Sequence, residues 1–134
     1  MDVAHCPVCT GTASVVVAVA HHGLRRLIAE LLHQDHATWR VTAVPHQRDL
    51  AGAITAAAPD LVILDVGDFA RCCHDSLEAF PRRQVIVIGP EPDMAYERAA
   101  RQGGAGAWLT RDRVGEDLIA AMRGVLGCAP APAA

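Results

Sequence analysis

Lysine is missing from this chain altogether: all twelve of its basic residues are arginine. No ammonium side chain is available to pair with a phosphate or to titrate as a base, so any such side-chain role falls to a guanidinium, which stays charged. A basic excess is missing too. The formal net charge is −3 and the sequence pI is near 6.1, so the electrostatic footprint of a nucleic-acid-binding domain is not there and direct nucleic-acid contact is not expected. No apolar run reaches eighteen residues, and Met1-Asp2-Val3-Ala4-His5 has neither the charged nor the apolar region of a secretory signal. These absences lead to the expectation of a cytoplasmic chain with no membrane span. In that compartment the five cysteines read as thiols or metal ligands rather than as a disulfide framework. No glycine-rich phosphate cradle follows the first apolar run, where Ala20-His21-His22-Gly23 stands instead, which leaves an enzymatic reading without support.

What is present is enough apolar material for a core: 134 residues suit one domain, and 51% of them are hydrophobic. The pattern alternates between short β-branched runs and stretches of helical periodicity. Ser14-Val15-Val16-Val17-Ala18-Val19-Ala20 reads as a first buried strand, and Leu24, Leu27, Ile28, Leu31 and Leu32 mark one stripe of a helix. Trp39 to Val44, closed by Pro45, suits a second strand at a sheet edge. Leu50, Ala53, Ile54 and Ala57 give a second helix, which Pro59 ends by restricting Ala58. A third strand runs through Asp60-Leu-Val-Ile-Leu-Asp65, and a weak helical signal follows around Ser76 to Phe80. Gln84 to Ile88 is a fourth strand, closed by Gly89-Pro90. Met94, Ala95, Arg98 and Ala99 outline a helix ending at Gly103-Gly104, and Gly106 to Leu109 is a fifth strand. Val114, Leu118, Ile119, Met122, Val125 and Leu126 mark a last amphipathic helix.

Five βα units with right-handed crossovers predict a single doubly wound α/β domain: a five-stranded parallel sheet in the order 2-1-3-4-5, flanked by helices. The domain is expected over residues 15–127, between a leader of residues 1–14 carrying a C-x-x-C motif and a linker-like Ala/Pro tail of residues 128–134. In such sheets ligands collect at the carboxyl ends of the strands, which makes Asp65 the residue to explain.

In its order of motifs the chain resembles the receiver domain of two-component response regulators, a flavodoxin-like fold, over nearly its whole length. Asp65 matches the family's phosphoacceptor. Ala105-Gly-Ala-Trp108-Leu-Thr-Arg111 matches the stretch carrying the aromatic switch residue and the phosphate-pairing lysine, here Trp108 and Arg111. Gly89 stands where the family has a threonine or serine whose hydroxyl bonds the phosphoryl group. The family's adjacent carboxylates align with Val19 and Ala20, and its usual Met-Pro pair and glycine after the acceptor give way to Gly67-Asp68-Phe69-Ala70.

The loss of the acidic pair carries the largest consequence. Mg²⁺ needs hard oxygen ligands, and phosphoryl transfer relies on that cation to neutralise charge on the transferring group. Losing that stabilisation costs several kcal/mol, a factor of roughly a thousand or more in rate. Mg²⁺ is thus not expected, and phosphotransfer to Asp65 is expected to be very slow or absent. His21 and His22 offer a softer cation two imidazoles beside a carboxylate, although adjacent histidines after a strand also make an ordinary polar loop. Arg111 could instead pair with Asp65 directly, as a latch that needs no phosphate.

His5-Cys6-Pro7-Val8-Cys9 has the form of half a zinc site. The end of the last helix should return to the edge where the first strand begins, bringing Cys128 towards His5, Cys6 and Cys9. These four could bind Zn²⁺, Cys6 and Cys9 could be a redox pair, or the leader could have no role. Cys72-Cys73-His74 belongs to the opposite edge, either as small hydrophobes or as a redox sensor beside Asp65.

The resemblance therefore implies an atypical, non-enzymatic receiver domain with no required cofactor. It would be the regulatory and protein-interaction module of a transcriptional regulator. Dimerisation would use exposed faces of the terminal helices, and a DNA-binding module would follow the tail. The alternative is a metal or thiol redox sensor on the same scaffold.

Overall fold

The computed structural model describes residues 13–35, 39–45, 47–66, 69 and 80–127. Along the chain run β1 (Ser14–Ala18), α1 (His22–Asp35), β2 (Arg40–Ala43), α2 (Leu50–Ala57), β3 (Leu61–Asp65), β4 (Val85–Gly89), α3 (Met94–Gln102), β5 (Ala107–Thr110) and α4 (Val114–Val125). The strands form one sheet in the order β2-β1-β3-β4-β5, with every pair parallel. The doubly wound sheet and its strand order are as the sequence pattern predicts. The C-x-x-C leader with His5, Cys6 and Cys9, Gly67, Asp68 and Ala70, the Cys72-Cys73-His74 cluster, the tail from Cys128 and most of the helix expected near Ser76 to Phe80 lie outside the described residues.

Side chains alternate across a strand, so a strand covered on both faces must be apolar at every position. In β1, β3 and β4 the faces divide cleanly. Val15, Val17, Ile63, Ile86 and Ile88 pack with Leu24, Ile28 and Leu32 of α1 and with Val114, Leu118 and Met122 of α4. On the other face Val16, Val62, Leu64, Val85 and Val87 pack with Leu50 of α2, Ala100 of α3 and Phe69. β2 lies at an edge, and its burial pattern is correspondingly mixed.

Three local features fix how the layers meet. Ala58 closes α2 in the left-handed region, φ 45°, ψ 59°, directing its N–H to the carbonyl of Ile54. At the amino end of β3 the Asp60 carboxylate accepts the Ser14 N–H at 2.9 Å, while the Asp60 N–H returns a bond to the Ser14 carbonyl at 2.8 Å. This reciprocal clamp pins β1 to β3 in register. At the start of β5 a Cβ on Gly106 would lie 1.9 Å from the Arg83 carbonyl oxygen, so only glycine lets that backbone pass.

Candidate functional site

The carboxyl ends of β1, β3, β4 and β5 converge on one edge of the sheet. Ala18 pairs with Leu64, Asp65 with Ile88 and Gly89 with Thr110. Extending the β1–β3 register by one residue sets Val19 abreast of Asp65. Val19 is fully buried and packs in the same cluster as Val17 and Ile63. The position abreast of Asp65 is therefore held by a core side chain and carries no carboxylate.

Asp65 is half-buried, and its Oδ2 accepts the backbone N–H of Ala20 at 3.3 Å. The β1–α1 loop carrying that N–H is stapled from the helix: Arg25 donates from Nη1 to the carbonyls of Val19 at 2.8 Å and Ala20 at 3.3 Å, and its Nη2 lies 3.2 Å from His22 Nδ1. His21 sits just before α1 and accepts the Leu24 N–H on Nδ1 at 3.0 Å. That is a side-chain N-cap, satisfying one of the amide donors that a helix start leaves open. It places the imidazole proton on Nε2. Neither histidine joins Asp65 in a ligand set; both are spent on shaping the loop.

Among the described residues Asp65 stands beside a buried valine and an alanine, and no group of three His, Cys, Asp or Glu side chains could hold a metal ion. Arg111 opens a turn of 3-10 helix (Arg111–Arg113) beyond the end of β5 and is exposed. The sequence suggested an Asp65–Arg111 ion pair; among the ion pairs of the described residues none joins the two, and Arg111 is exposed on this turn.

Gly89 and Trp108 meet closely. They lie on the same face of neighbouring strands, two residues out of register, since Val87 pairs with Trp108. A Cβ built on Gly89 would lie 2.0 Å from Trp108 Cη2 and 2.4 Å from Cζ3. The indole thus fills the space that any side chain at position 89 would enter. Tyr96 of α3 lies beside it, with ring centroids 6.4 Å apart and planes inclined by 32°. Outside the indole, a groove of about 350 Å³ opens between α3 and β5, lined by Glu97, Ala100, Arg101, Ala105, Ala107 and Trp108.

The sequence reading grouped Asp65 with Val19, Ala20, Gly89, Trp108 and Arg111; in the structure Asp65 and Gly89 end their strands, Val19 and Ala20 follow the end of β1, Trp108 lies two residues before the end of β5 with its indole against Gly89, and Arg111 follows β5. It gave Arg25 no role, and it took His21 as a possible metal ligand or polar-loop residue rather than as a helix cap, because histidine is not among the residues that usually signal a helix start. It also missed Thr110, a buried hydroxyl residue paired with Gly89.

A parallel sheet of this order, with its one carboxylate at the end of the central strand, has the fold of a receiver domain. No protein-family model matches the sequence, and no curated protein matches it. Solved structures do. A DNA-binding response regulator of the LuxR family from Staphylococcus aureus is similar with a TM-score of 0.67 and 20% identity, over 85% of this chain and 98% of that one. The signal receiver domain of the response regulator NarL from Mycobacterium tuberculosis has a TM-score of 0.67 and 21% identity, over 87% and 97% of the two chains. A response regulator from Chloroflexus aurantiacus has a TM-score of 0.71 and 14% identity, over 87% and 98%. At these identities the likeness establishes the fold alone.

Proposed function

We propose that this chain is the receiver module of a response regulator and that it works without aspartyl phosphate. One observation carries the reading: Val19, fully buried, and Ala20 stand where a divalent cation would need carboxylates beside Asp65. Without that cation, the charge developing on a transferring phosphoryl group loses its main counter-charge. A pocket of this kind keeps an acceptor oxygen but not the means to load it. The output is then set by protein contact, through a homodimer or a second partner, rather than by a phosphodonor. An effector module beyond the Ala/Pro tail fits the likeness to a regulator described as DNA-binding, since this chain has no basic footprint of its own.

The test is incubation with acetyl phosphate and Mg²⁺ followed by intact-mass measurement. No phosphoryl adduct is expected. An adduct that forms on the native chain and disappears in Asp65→Asn would overturn the proposal. Sedimentation over a concentration range tests the contact half of it: association independent of phosphodonor is expected, and a strict monomer at every concentration would remove that half.

A further inference from the structure

Three of the five cysteines stand outside the sheet domain, Cys6 and Cys9 in the leader and Cys128 at the start of the tail, and nothing proposed for Asp65 uses them. They lie outside the described residues, but the described chain fixes where each segment departs. Ala13 is fully buried, and its carbonyl accepts the Arg40 N–H at 3.0 Å, beside the Ser14–Arg40 pairing that opens β1 and β2. The leader therefore joins at the amino edge of the sheet, opposite Asp65. The tail leaves from the same edge. α4 begins just past the carboxyl end of β5 and returns to its amino end, where Val125 Cγ2 lies 3.1 Å from a Cβ built on Gly106. Gly127 follows in the left-handed region, φ 73°, and Cys128 comes next.

Both departures are tied to one short connection. Arg123 of α4 binds Asp35, the last residue of α1, at 3.3 Å, while Ala13 holds Arg40, the first residue of β2. Asp35 and Arg40 are five residues apart, which spans at most about 17 Å even when extended. Trp39 packs in the same apolar cluster as Ala13 and Met122, with Val125 and Leu126 against it. Cys9 is four residues from Ala13, a reach of about 14 Å. The leader can thus meet the tail.

We infer that His5, Cys6, Cys9 and Cys128 hold one Zn²⁺ in a Cys₃His site that clasps the leader to the tail. Two thiolates at C-x-x-C spacing grip a tetrahedral cation, and an imidazole with a third thiolate completes a closed, structural set. Each of the three thiols releases its proton on binding. Among the described residues no group of His, Cys, Asp or Glu competes for the metal. The clasp stands at the edge away from Asp65 and sets where the Ala/Pro tail starts.

The test uses the full chain, freed of any affinity tag and purified without chelator. Metal analysis should give one zinc per chain, and cobalt added to stripped protein should show the visible bands of tetrahedral thiolate ligation. Zinc should slow alkylation of Cys6, Cys9 and Cys128 but not of Cys72 and Cys73, read by peptide mass mapping of the native chain. Cys128→Ser should weaken zinc binding at least about a hundredfold in chelator competition, because even outer-shell partners of a ligand contribute about 10–100-fold. The Cys72→Ser/Cys73→Ser variant should bind zinc as the native chain does. A chain that takes up neither metal, a Cys6–Cys9 disulfide in place of metal, or alkylation of Cys128 that zinc does not slow would each refute the clasp. The phosphodonor assay reads Asp65 and not these thiols, so this inference and the proposed function fail separately.

Discussion

Asp60 and Asp65 bracket β3, and the structure gives them opposite duties, which a pair of substitutions can separate. Asp60→Ala removes the oxygen that takes the Ser14 N–H at 2.9 Å. Ser14 is 2% exposed, so its donor is left at the dry start of β1 while the backbone return bond survives. An orphaned buried donor costs about 1–3 kcal/mol, and the charge-assisted character of the lost bond puts the value in the upper half of that range. Asp60→Asn keeps a side-chain oxygen within reach and gives up only the charge, so it should cost less than about 1 kcal/mol. Against a total stability of about 5–15 kcal/mol, the alanine variant is still folded but clearly weakened. With a urea slope of about 2 kcal/mol per molar, its unfolding midpoint should fall by roughly 1 M and that of the asparagine variant by less than half as much. Equilibrium unfolding followed by circular dichroism, at unchanged slope, measures both. Equal midpoints for the two variants, or no shift in the alanine variant, would refute the clamp. Asp65→Ala removes the acceptor of the Ala20 N–H, and its effect at the β1–α1 loop should appear as faster exchange of that amide.

Three further outcomes follow from other local contacts. Ala58→Gly should stabilise the chain by about 0.5–1 kcal/mol, because left-handed strain of about 1–2 kcal/mol outweighs the extra unfolded-state freedom of glycine; a lowered melting temperature would contradict this. His21→Ala should cost about 1 kcal/mol by uncapping α1, and His21→Asn should recover most of it; chemical denaturation of the two variants makes the comparison. Val19→Asp should cost several kcal/mol in the absence of divalent cations, since it buries a second carboxylate abreast of Asp65. Combined with Ala20→Asp, the variant's melting temperature should rise with added Mg²⁺ through ligand linkage, whereas the native chain's should not. A native melting temperature that climbs with Mg²⁺ would show that the pocket holds the ion after all.

The buried parallel strands were legible because burial on both faces leaves no polar position, so each appears as an unbroken apolar run. The ends were less so. β1 reads as continuing to Ala20, yet its ladder stops at Ala18, because the chain must turn into α1 at His22. Gly106 reads as part of β5, but its role is to let the backbone pass beneath the Arg83 carbonyl. Asp65 was visible as a carboxylate ending an apolar run, and the apolar substitutions at Val19 and Ala20 were visible against the family pattern. The loop that presents them was not, because its shape depends on hydrogen bonds from Arg25 to the carbonyls of Val19 and Ala20. A guanidinium reaching back to a loop carbonyl leaves no periodic trace in a sequence. Arg111 shows the converse: position in a motif suggested an ion pair, and the residue is exposed on the helical turn after β5.

The occupancy of the volume above Gly89 also sets an order on mutational history. A variant acquiring a hydroxyl residue at 89 while the indole remains would meet a collision with the ring. Shrinking the residue at 108 first opens a void beside Tyr96 and Val87, a milder loss. A side chain at position 89 is therefore accommodated most easily after the residue at 108 has become smaller.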